Sequence, residues 1–71
     1  MARVPPERQS AGIRWLVLEH DENSRGWFLF GHQDLHDPSE FDSWYQTRAD
    51  ALREAAVQWG VVPEDWRVEL P

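Results

Sequence analysis

The 71-residue chain has no cysteine and no lysine, one methionine and four glycines. Without cysteine, neither a disulfide framework nor a zinc–thiolate site can staple the fold. Without lysine, Schiff-base chemistry and a Walker-type phosphate lysine are excluded. The glycines are scattered, so there is no phosphate-binding loop. No apolar run reaches the length of a membrane span, and the amino end lacks the apolar centre of a signal peptide. A soluble, cytoplasmic protein is the expectation.

Positive charge is also scarce. Seven arginines face thirteen acidic residues, for a net charge of −6. That sign opposes direct binding to nucleic acid, which needs clustered cations to neutralise phosphates, and opposes docking on an anionic membrane surface. The length permits one domain, and a chain this short buries only about 60% of its unfolded surface. Five tryptophans are present to compensate, each able to bury about 150–250 Å².

The best-marked stretch runs from Ser43 to Trp66. Thr47 stands where an N-cap should be, and Asp50 lies three residues on, placed to reach back in a short form of the capping box. Leu52, Ala55, Ala56 and Trp59 follow at i, i+3, i+4 and i+7, one stripe of a helix. Gly60 is a left-handed exit, Val61 can fold back onto the last turn, and Pro63 forbids continuation. The stripe is alanine-rich, with Leu52 and Trp59 its only large knobs.

Ile13 to His20 and Gly26 to Gly31 read as two strands joined by a loop longer than a tight turn. Both carry apolar side chains on both faces: Ile13, Trp15 and Val17 against Leu16 and Leu18, then Trp27 and Leu29 against Phe28 and Phe30. The segment from His32 to Asp42 reads as a loop holding one helical turn, with Asp37 as its cap, Pro38 at N1 and Glu40 at N3. Ser43 to Gln46 is a short aromatic strand, and Trp66 to Leu70 alternates as a half-buried one. Residues 1–12 show no period and contain a Pro-Pro pair, so they read as a disordered arm. The expected architecture is a single α+β domain over residues 13–71. It is a small antiparallel sheet, in the order β-β-β-α-β, with one helix packed on one face.

Chemistry-bearing clusters are few. His32, Asp34, His36 and Asp37 place two imidazoles and two carboxylates within six residues, a donor set suited to a divalent metal. Their order is not the helical H-E-x-x-H arrangement, and a loop gives them no common direction. The serines lack a nucleophile elbow, and a one-helix domain has little room for a concave catalytic site. No catalytic residue and no cofactor is assigned. The more suggestive feature is the acidic loop: Asp34, Asp37, Glu40 and Asp42, with no arginine among them, near Trp27, Trp44 and Tyr45. Carboxylates around aromatic anchors are the composition of a surface that docks on a basic partner.

The pattern D-S-W-Y-Q-T-x-A-D-A, followed by W-G-V and D-W, resembles a group of small, acidic, uncharacterised bacterial α+β proteins. In that group an aromatic hairpin and an acidic loop precede a W-[FY]-x-T segment, a helix, a Y-G-[VI] exit and a final D-W. Trp44, Tyr45, Thr47, Ala51, Ala55, Gly60, Asp65 and Trp66 match, and Trp59 replaces the tyrosine. The histidines of the loop depart from an Asp-rich form. The resemblance implies the fold and a bacterial origin, and it carries no activity. The expectation is a non-enzymatic module that binds a protein partner, basic in charge, or a second copy of itself. The alternatives are a metal-binding protein using the His32–Asp37 loop and an acidic mimic of nucleic acid. Because one narrow helix covers one side of a sheet, an aromatic patch or a dimer interface is expected on the other.

Overall fold

The computed structural model describes residues 1–9 and 12–67. Four strands form one antiparallel sheet in sequence order: β1 (Ala2–Arg3), β2 (Trp15–Asp21), β3 (Gly26–His32) and β4 (Phe41–Tyr45). A single helix, α1 (Arg48–Trp59), follows β4 and lies on one face of the sheet against β3 and β4. The expected α+β class, a small antiparallel sheet with one helix on it, is the fold observed. No helix among the described residues is long and apolar enough to cross a membrane.

One difference changes the strand order. Residues 1–12 read as a disordered arm from sequence, yet Ala2 and Arg3 pair with Leu16 and Trp15. Ala2 and Val4 are 2% and 0% exposed, within the core. Three further hydrogen bonds tie the segment down. Gln9 donates to the Val4 carbonyl at 2.9 Å, and the Arg8 guanidinium donates to the carbonyls of Val57 and Gln58 at 2.8 and 3.0 Å. Those two carbonyls belong to the last turn of α1, which has no cation of its own. Arg8 therefore satisfies orphan acceptors and faces the negative end of the helix dipole. The packed structure therefore includes residues of the expected arm. The expected last strand, Trp66 to Leu70, falls mostly outside the described residues. Within them, Trp66 leaves a short 3₁₀ turn (Pro63–Asp65) in extended conformation and packs on the core, and Arg67 exchanges backbone hydrogen bonds with Met1.

The helix keeps its expected limits. Thr47 is extended and its hydroxyl accepts from the Asp50 N–H at 3.1 Å. The return bond of a capping box is replaced by an exposed ion pair: the Asp50 carboxylate lies 3.8 Å from Arg53 instead. At the other end Gly60 has φ 68°, and its N–H donates to the Ala56 carbonyl at 3.1 Å. The buried stripe is Ala51, Ala55 and Trp59, with Leu52 half-buried beside it. Small alanines let the axis approach Leu16 and Leu29, both fully buried beneath it. Trp59 stacks on Phe41 with ring centroids 5.6 Å apart, and Phe41 in turn lies over Gly31. A Cβ at residue 31 would sit 2.0 Å from the Phe41 ring, so this layer requires glycine.

Two loops shape the ends of the sheet. Between β2 and β3, the Asp21 carboxylate accepts from the Asn23 N–H and the Ser24 hydroxyl, and Arg25 takes the left-handed conformation at φ 62°. Between β3 and β4, the turn differs from the one expected. Asp34, not Asp37, makes it: its carboxylate accepts from the His36 N–H at 2.9 Å and its carbonyl from the Asp37 N–H at 3.0 Å. The Asx turn closes within three residues of chain, and no helical turn forms at Pro38.

Candidate docking face

Register assigns every strand side chain to one of two faces. Trp27, Leu29, Gly31, Phe41, Ser43 and Tyr45 share the helix side with Leu16, Leu18 and His20. The opposite face is made of rows that cross the strands. Arg3, Trp15 and His32 form one; Val17, Phe30 and Asp42 the next; Glu19, Phe28 and Trp44 the third. Adjacent strands lie about 4.8 Å apart, so these side chains form one continuous surface.

This open face is aromatic at its centre. Phe28 and Phe30 stack with centroids 5.7 Å apart and planes 27° from parallel. Trp15 and Val17 are half-buried beside them, and Trp44 is 46% exposed. Trp15 is covered in part by Arg3, whose guanidinium carbon is 5.4 Å from the ring centroid. Trp44 is held flat. Its indole lies over Gly26, where a Cβ would be 2.2 Å from the ring, and its Nε1–H donates to the Ser24 hydroxyl at 3.0 Å. Ser24 donates in turn to Asp21, and that hydrogen bond, ahead of the other contacts, holds the Asp21 carboxyl below its ordinary pKa. The chain indole–hydroxyl–carboxylate thus orients an exposed tryptophan. Glu19 and Asp42 stand in the same rows, both exposed.

The structure divides the residues singled out from the sequence. Trp44 and Asp42 belong to the open face, and Asp34, Asp37 and Glu40 are exposed on the adjoining loop 33–40. Trp27 and Tyr45 are placed opposite each other on the helix side instead. Burial raises the Tyr45 phenol above its ordinary pKa, and the charge of Glu54 adds to the rise. Trp27 carries the Arg48 guanidinium, 6.0 Å from its ring. Phe28 and Phe30 were legible as the far side of a two-faced strand. Trp15, Val17 and Glu19 join them only through register. His32 Nδ1 lies 3.1 Å from the Asp37 carbonyl. Among the described residues no three His, Asp or Glu side chains converge as a metal site needs.

Comparisons with protein-family models, with curated proteins and with solved structures find no match for this chain.

Proposed function

We propose that this protein is a non-enzymatic, cytoplasmic interaction module that docks its open sheet face on a basic protein partner. The observation that carries the reading is the row arrangement itself: Trp15, Phe30, Phe28 and Trp44 in one surface, with Glu19 and Asp42 set among them. Aromatic anchors with carboxylates set among them suit a partner with apolar side chains flanked by arginine or lysine. The loop carboxylates of Asp34, Asp37 and Glu40 extend the negative border, and the net charge of −6 steers such a partner from a distance. An exposed tryptophan held by two hydrogen bonds in series loses little freedom on binding, as an anchor should.

The experiment is affinity capture from the source organism, with wild-type protein beside Phe30→Arg and Trp44→Ala. The captured protein is then purified and its association measured. It should bind the wild type, lose at least ten-fold in affinity for both variants, and associate more slowly as salt rises. Trp44→Ala alters a side chain already 46% exposed, so it reports even if Phe30→Arg fails to fold. A partner indifferent to both substitutions would remove the reading. A concentration-dependent dimer in sedimentation, abolished by the same substitutions, would reassign the face to self-association.

A further inference from the structure

A second feature borders the aromatic rows at Val17. Beside the amino end of α1 is a cleft of about 550 Å³, walled by Leu18, Trp27, Pro63 and Trp66, with Arg48 and Arg67 at its lining. Its position follows from the sheet: β1 covers only Trp15 and Leu16 of the β2 edge, leaving the side of Leu18 to the segment after α1. The volume lies within the range of small-molecule sites, roughly 300–1,000 Å³.

Charge makes this cleft unusual. Acidic residues outnumber basic ones by thirteen to seven in this chain, yet the described lining contains two arginines and no acid. Other arginines have structural partners: Arg8 holds the helix end and Arg53 pairs with Asp50. Among the described residues, neither Arg48 nor Arg67 has a carboxylate within ion-pair distance. Arg48 rests against the Trp27 ring, and Arg67 donates to the Glu64 and Trp66 carbonyls at 2.7 and 3.2 Å. Both guanidinium groups keep donors to spare. A third donor stands in the wall: the Trp66 indole Nε1–H is buried with no hydrogen-bond partner. A buried orphan donor is unfavourable, and an acceptor brought by a ligand would remove that cost.

We infer that this cleft binds a small planar aromatic anion. The ring lies against the indole walls of Trp27 and Trp66, and the carboxylate or phosphate accepts from Arg48 and Arg67. Guanidinium groups suit both anions, so the class is set by ring plus charge. Neither a neutral ring nor a small anion without a ring satisfies both halves of the site.

The full chain is titrated with 2-naphthoate and 2-naphthyl phosphate, with 2-naphthalenemethanol and acetate as controls. Binding is followed by calorimetry and by the ¹H–¹⁵N indole resonances, with Trp66 assigned through Trp66→Phe. Saturable binding of at least one naphthyl anion is expected, with a downfield shift of the Trp66 indole proton, and the tighter anion names the charged group. Both controls should bind at least ten-fold more weakly. Arg48→Gln and Arg67→Gln change exposed side chains and should each weaken binding about ten-fold or more. Absence of saturable binding by either anion, or affinity unchanged in both variants, overturns the inference. The open-face substitution Trp44→Ala should leave this binding unaltered, so the two sites fail or succeed separately.

Discussion

At the scale of the residue, Ser24 joins more than its exposed position suggests. Its hydroxyl donates to Asp21 and accepts from the Trp44 indole, so one oxygen ties a hairpin loop to an anchor two strands away. Asp21 titrates below its ordinary value in the folded protein, so its contribution is present above the unfolded pKa, about pH 4, and is lost as pH falls through the folded one. Ser24→Ala should return the Asp21 midpoint towards the ordinary value, read from the pH dependence of the Asn23 and Arg25 amide shifts. An unmoved midpoint would show that the backbone N–H groups alone depress it. Gly60 makes a similar point at the helix exit. Gly60→Ala puts a Cβ at positive φ and 3.0 Å from the Arg8 side chain, and should cost about 1–2 kcal/mol in urea denaturation. Thr47 and Gly60 were legible because their chemistry is local, settled within four residues of chain. Ser24 was not, because its partner Trp44 is twenty residues away.

At the scale of the element, what could be read depended on how far each element reaches for support. The helix and the β2–β3 hairpin carry their own periodicity, caps and loop, and both were legible, the helix at its observed limits and the strands with ends shifted by one or two residues. The edge strand β1 was not. It has two residues, makes no period, and exists only because Leu16 and Trp15 are there to pair with it. Arg8 was equally silent, since its value as a helix cap depends on carbonyls 49 and 50 residues away. Arg8→Ala should cost about 1 kcal/mol by removing a charge-assisted cap from the negative end of α1, measured by thermal denaturation. The loss should shrink at high salt. A cost independent of salt would assign the effect to packing against Gly60 instead.

At the scale of the whole molecule, the two faces of the sheet have different work. One is closed by α1 and the tail through Trp66; the other presents its aromatics outward. Two-sided apolar strands made this asymmetry visible in the sequence, since a single helix covers a single side. Alternation puts Trp44 and Tyr45 on opposite faces in the sequence, but that Tyr45 shares the helix side with Trp27 is decided by register with β3. The metal alternative belongs at this scale as well. His32, Asp34, His36 and Asp37 are neighbours in sequence, but the Asx turn at Asp34 spends that carboxylate on the backbone. Zinc in excess should leave the melting temperature unchanged; a rise lost in both His32→Ala and His36→Ala would restore the loop as a metal site.

The buried amino end also governs the tempo of unfolding. Val4 is sealed in the core, Arg8 waits on the last turn of α1, and Met1 meets Arg67 across 66 residues of chain. Contacts so distant along the backbone require the largest loops to close, and they form after the hairpin and helix have already made the surface that receives them. The first few residues therefore act as a latch on a nearly finished fold. Val4→Ala should raise the unfolding rate while leaving the refolding rate close to wild type in stopped-flow measurements. Slowed refolding would instead put the amino end in the nucleus.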